Sequence, residues 1–165
     1  LPGAIGRIGV TSVNAILTNP ELQALGIAQR RVYETGDAII TEGAEDRCVY
    51  LLEQGVARVS ERVEIEGAKH IQPGLCDLAG GDVFGELILF EAAPRSASVV
   101  AVERCEALVF DAEKLAAHFD ANPDQGYVVL KALFNVLNQR LRQADKRLGS
   151  LFAWGLKAHG IDQHL

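Results

Sequence analysis

Residues Gly81–Ala101 read GDVFGELILFEAAPRSASVVA. Within them, Glu86–Phe90 is too short and too continuously apolar for an amphipathic helix, and it runs into a turn at Ala92-Ala93-Pro94. A single helical turn with its amino end at Gly85-Glu86 accounts for this pattern. Such a turn presents backbone N–H groups without intrahelical partners and so offers a small anion site. Glycine at 85 lets the backbone approach a ligand closely. Arg95 follows a proline and is expected to open a strand, so its guanidinium starts from a rigid base and can fork onto two phosphate oxygens. Ser96 and Ser98 add hydroxyl donors on either side of Ala97. Glu86, beside the basic spot, is suited to accept from a sugar hydroxyl. A phosphate receptor next to a ribose receptor describes a nucleotide site.

Outward from this stretch, residues 31–111 break into short β-rich runs punctuated by glycine: RVYETG, AIITEG, CVYLLEQG, VARVSERVEIEG, SASVVAVE and CEALVFD. Closely spaced strands with turn signals between them indicate an antiparallel β-roll of jelly-roll type. Before the roll, residues 11–26 carry apolar positions at Val13, Ile16, Leu17, Leu22 and Leu25, with breaks at Asn19-Pro20 and Gly26. Two short helices fit. After it, EKLAAHFDANPDQG reads as a helix ending near Asn122-Pro123, and a long helix follows from about Tyr127. There Tyr127, Leu130, Phe134, Leu137, Leu141, Ala144, Leu148 and Leu151 recur at alternating steps of three and four, a heptad seam. The fold class is therefore mainly β with flanking helices. One domain is expected over residues 1–156, with N-terminal helices at 11–26, the roll at 30–111, C-terminal helices at 112–156 and a tail at 157–165.

The Gly81–Ala101 segment resembles the phosphate-binding cassette of the cyclic-nucleotide-binding domain family, found in catabolite-activator-type regulators, regulatory subunits of cyclic-nucleotide-dependent kinases and gated channels. Supporting motifs match as well: Gly36-Asp37 before Glu42-Gly43, then Leu51, Leu52 and Gly55 before Val59, then Gly81-Asp82 leading into Phe84-Gly85-Glu86-Leu87. The resemblance spans about residues 11 to 150. It implies that Glu86 holds the ribose 2′-hydroxyl and Arg95 pairs with the cyclic phosphate. Gly85 and Leu87 would offer backbone contacts, with Ser96 and Ala97 beside them. The family's base-capping residue would fall near Asn138, Gln139 and Arg140. The implied ligand is cyclic AMP or cyclic GMP, and the sequence does not choose between them; no cofactor is implied.

Composition sets the remaining bounds. The chain has 165 residues, 48% of them hydrophobic, enough to build a core without disulfides or a structural metal. A net charge of -6 argues against a chain built chiefly to neutralise nucleic-acid phosphates. Cys48, Cys76 and Cys105 form no CxxC pair and suggest core packing in a reducing cytoplasm. His70, His118, His159 and His164 are scattered without metal-ligand spacing, and no G-x-S-x-G elbow or P-loop appears, so an enzyme is not expected. No apolar run reaches the roughly 20 residues of a membrane span.

The seam from Leu141 onward has polar flanks and is expected to pair two copies of the chain. Arg140, Arg142, Lys146 and Arg147 are read as a solvated basic face rather than a nucleic-acid patch. The segment LGSLFAWGL at 148–156 could complete a dimer, dock on another protein or touch a membrane surface. Too little chain follows it for a helix-turn-helix, so DNA binding by this chain alone is not expected, and the effector remains unknown.

Overall fold

The computed structural model describes residues 13–61, 63–65, 69–71 and 74–158; of residues 63–65, 69–71 and Ala158 only the backbone is described. Residues 13–17 are helical. Helix α1 (Pro20–Ala24) follows, with Pro20 in its first turn and the Asn19 side chain accepting from the Glu21 amide. The break expected at Asn19-Pro20 is thus the start of the second helix.

The roll is built from strands β1 (Ala28–Tyr33), β2 (Ala38–Ile40), β3 (Cys48–Gln54), β4 (Val56–Ser60), β5 (Val63–Ile65), β6 (Lys69–Ile71), β7 (Gly74–Ala79), β8 (Val83–Phe84), β9 (Ser98–Ala101) and β10 (Cys105–Asp111). Two four-stranded antiparallel sheets run β1-β10-β3-β8 and β2-β9-β4-β7, and β5 and β6 pair as a separate hairpin. The jelly-roll architecture expected from the sequence is the one observed. Strands β7 and β8 lie at sheet edges; GLCDLA and VF lack the alternation that marks the central strands, and the sequence reading passes over them.

The core lies between the sheets. Tyr50, Leu52, Phe84, Ala107 and Val109 from the first meet Ile40, Ala57, Leu78, Val99 and Ala101 from the second. Strand β10 is buried on both faces: Leu108 and Phe110, which alternate with the core-facing residues, are also sealed from solvent. Helix α2 (Ala112–Ala121) packs against β10, with Leu115 buried and the Asp111 carboxylate accepting from the Lys114 amide at its start.

The chain divides into two compact units, one ending at Val129 and the other starting at Leu130. Helix α3 (Pro123–Ala158) begins in the first. It starts earlier than the sequence reading placed it, because Pro123 occupies the first helical position, where its missing N–H costs nothing and its fixed φ suits the helix. Val129 and Leu133 are buried, whereas Leu130, Phe134, Leu141, Leu148 and Leu151 of the seam are exposed.

Candidate functional site

The site grows from the end of β8, where Phe84 pairs with Tyr50 of β3 and the two rings stack with centroids 5.1 Å apart. Gly85 then turns the chain through φ 69° into a 3-10 turn over Glu86–Leu89. The helical turn expected from the sequence is present, in its tighter form. Only glycine suits position 85. Besides the left-handed backbone, an added Cβ would lie 3.0 Å from Arg95 Nη1 and 3.2 Å from both Ile40 and Tyr50 side-chain atoms.

Arg95 is placed by backbone on both sides: its N–H donates to the Ala44 carbonyl (2.9 Å), and its carbonyl accepts from the Gly43 amide (2.8 Å). It does not open a strand, as its position after Pro94 suggested; β9 begins three residues later at Ser98. The cross-links to residues 43 and 44 hold it as a loop residue instead. Ser98 is also engaged, its Oγ accepting from the Glu42 amide at 3.0 Å.

Arg95 is only 8% exposed. A buried guanidinium requires acceptors, and four of its five N–H groups have them. Nε donates to Asp46 Oδ2 (3.0 Å), Nη2 donates to Asp46 Oδ1 and to the Cys48 carbonyl (2.5 Å for the latter), and Nη1 donates to the Gly85 carbonyl (3.0 Å). The guanidinium also lies 5.9 Å from the centre of the Tyr50 ring. Partial burial works to raise the Asp46 carboxyl, but the Arg95 hydrogen bonds and charge, with the Cys48 amide, outweigh it and hold the carboxyl below its ordinary range. Burial, and then the nearby Asp46 carboxylate, push the Tyr50 phenol and the Cys48 thiol upward.

Glu86 is 2% exposed. The Leu87 side chain and Ser96 are exposed, and Ala97 is half-buried. Gly85, Glu86, Leu87, Arg95, Ser96 and Ala97 thus all belong to the 3-10 turn and the loop that follows it in the first unit. Arg140 is half-buried on α3, in the second unit. The sequence reading missed Asp46, the main partner of Arg95. The signal available was indirect: a buried arginine demands a carboxylate, but Glu42, Glu45 and Asp46 all stand in the same connection.

Comparison with known proteins places the fold in a family. The family model described as "Cyclic nucleotide-binding domain" matches residues 30–122. The cyclic AMP receptor protein of Thermus thermophilus is 35% identical over 128 residues, covering 78% of this chain and 56% of that protein. A cAMP-dependent protein kinase regulatory subunit of Aspergillus fumigatus is 42% identical over 69 residues, 42% of this chain and 15% of that protein. Among solved structures, the Thermus thermophilus catabolite activator protein aligns with TM-score 0.65 and 33% identity over 85% of this chain and 62% of its own. A cyclic nucleotide-binding domain from Methylobacillus flagellatus aligns with TM-score 0.67 at 22% identity over 84% of this chain and 81% of its own, a likeness of fold. The chain spans about half the length of the cyclic AMP receptor protein it matches.

The Asp46–Arg95 pair makes stability depend on pH in a defined direction. Because the folded-state carboxyl titrates below its unfolded value, its contribution is present above the unfolded pKa of about 3.9 and is lost as pH falls through the folded value. Asp46→Asn should lower stability by about 1–2 kcal/mol at neutral pH, less than for a fully buried pair because Asp46 is about a third exposed. Urea unfolding at pH 7 and pH 3 checks this: the gap between parent and variant should shrink at the lower pH.

Proposed function

This chain belongs to the cyclic nucleotide-binding domain family, and we propose that it works as a non-catalytic receptor for cyclic AMP or cyclic GMP. The observation that carries the reading is a nearly buried cation, Arg95, anchored against the Gly85 carbonyl at the head of the 3-10 turn. On this reading Arg95 meets the cyclic phosphate and Glu86 accepts from the ribose 2′-hydroxyl. Gly85 and Leu87 offer backbone groups, and Ser96 and Ala97 lie on the phosphate side. Arg140 is assigned to the base on the family resemblance alone. The phosphate takes N–H donors now held by Asp46 and Cys48, so binding is an exchange of acceptors on one guanidinium.

Residues 1–156 act as one regulatory domain in this account, in the cytoplasm. The ligand favours one arrangement of the C-terminal helix over another and so shifts the population between them. The names of the relatives make cyclic AMP the first ligand to test. The output is assigned to an effector, another protein or a further domain.

A second reading has one observation in its favour. With four guanidinium donors satisfied inside the protein, the domain could serve as a scaffold that binds no nucleotide, Arg95 then being a structural tie between loops. Isothermal titration separates the two. The parent chain should release or absorb heat with cyclic AMP or cyclic GMP, and Arg95→Ala should weaken binding by at least the roughly 1.5–3 kcal/mol of a hydrogen bond to a charged group. Glu86→Ala should cost less, since it removes a bond to a neutral hydroxyl. Parent-like binding by both variants would refute the site, and a parent that binds neither nucleotide would support the scaffold.

Self-association is part of the proposal. Leu141, Leu148 and Leu151 of the seam are 61%, 55% and 65% exposed, more apolar surface than a solvated helix gains from showing. Light scattering at micromolar concentration should return twice 17.8 kDa, and Leu141→Lys together with Leu148→Lys should return a monomer. A monomeric parent would contradict pairing through this seam.

A further inference from the structure

Charge is divided unevenly along the chain. Residues 130–165 hold six of the sixteen Lys and Arg but only two of the 22 Asp and Glu, a net +4 against -10 for residues 1–129. Residues 130–158 are helical. Near the end of this helix the apolar surface widens. At 100° per residue, Leu148, Leu151, Phe152, Trp154 and Leu156 spread over about 200° of the circumference. Arg142, Lys146, Ser150 and Lys157 fall in the remaining arc, and of the charged residues just before Leu148 only Asp145 and Arg147 fall within the apolar one. Phe152 and Trp154 are 65% and 71% exposed.

A pairing seam is narrower than this, about 100° or less. A second helix along Leu141–Leu151 therefore leaves Phe152, Trp154 and Leu156 in water. The surface needs a partner that is apolar just beneath an anionic layer. We propose that the end of α3, residues 142–157, lies on an anionic lipid surface, with Phe152, Trp154 and Leu156 at the interface and Arg142, Lys146 and Lys157 against acidic headgroups.

The physical chemistry fits each part. Tryptophan, with an apolar body and one N–H, is suited to the headgroup level of a bilayer. A helix with a wide apolar face and a basic opposite face lies in the plane of such an interface. Lys146, Arg147 and Ser150 line a shallow open depression beside Leu151, where two cations and a hydroxyl could meet a phospholipid headgroup. The charge of -10 on the rest of the chain is repelled by the same surface, so the electrostatic attraction falls on this helix. None of these residues belongs to the nucleotide site, so the inference stands apart from that reading.

Trp154 is the chain's only tryptophan and reports on the helix end alone. The 165-residue chain is titrated with vesicles of equal phosphatidylglycerol and phosphatidylcholine, and with vesicles of phosphatidylcholine only. Emission should move to shorter wavelength and the protein should sediment with the anionic vesicles, with partition at least about tenfold stronger than into the neutral ones, as expected for several cations near the surface. Arg142→Glu with Lys146→Glu, both exposed positions, should abolish that difference while leaving far-ultraviolet circular dichroism unchanged. If the variant fails to fold, the comparison of the two vesicle types with the parent decides alone. Equal partition into both vesicle types, or none into either, overturns the proposal. So does a Trp154 emission that is already at short wavelength before vesicles are added and does not move on their addition, which would place the tryptophan away from the lipid.

Discussion

A guanidinium that is almost wholly buried must have its charge and its N–H groups satisfied, and at Arg95 this requirement organises the site around it. Asp46 comes from the connection before β3, the Cys48 carbonyl from the first residue of β3, and the Gly85 carbonyl from the end of β8. One side chain therefore joins the 46–48 segment to the end of β8, two parts of the roll that are distant in sequence. Removing it would leave the Asp46 carboxylate and the Cys48 and Gly85 carbonyls without the guanidinium they share. The absence of a side chain at Gly85 follows from the same crowding, since a Cβ would press on Arg95 Nη1 and on the Tyr50 ring.

The arrangement also defines what a phosphate has to do in the proposed receptor. The Nε and Nη2 edge that would fork onto phosphate oxygens is occupied by the Asp46 carboxylate. A ligand that binds there does so by replacing one anion with another, and the released carboxylate keeps the Cys48 amide as a donor. Because Asp46 sits on a loop whose neighbours 43 and 44 hold the Arg95 backbone, such an exchange bears on the connection and on the 3-10 turn together. Coupling of this kind is reciprocal: whatever fixes the loop in one arrangement alters affinity for the ligand by the same factor.

Much of this was legible in the sequence. The glycine-punctuated runs marked the central strands because those strands are half-buried and alternate, or, like β10, carry a continuous apolar stretch. The apolar run after Gly85 could be assigned to a single turn because its length and composition excluded other elements. What escaped detection did so for physical reasons. Edge strands β7 and β8 bury too little to impose a pattern. Arg95 was read as opening a strand because it follows the Ala92-Ala93-Pro94 turn, whereas long-range hydrogen bonds to residues 43 and 44 decide its conformation. Asp46 is separated from Arg95 by 49 positions, and no local rule selects it over Glu42 or Glu45. The seam of α3 was visible as a period of three and four, but period alone does not say what covers it.

The central claim is that the Arg95 side chain is the anion receptor and that a cyclic nucleotide takes it over from Asp46. Nitrogen-15 NMR of the arginine Nε–H groups during titration with cyclic AMP tests this most directly. The account predicts a protected Nε–H resonance before ligand, absent in Arg95→Lys, that shifts in step with saturation of the binding site. A ligand that saturates the protein while the Arg95 resonance stays where the Asp46 pair put it would contradict the account.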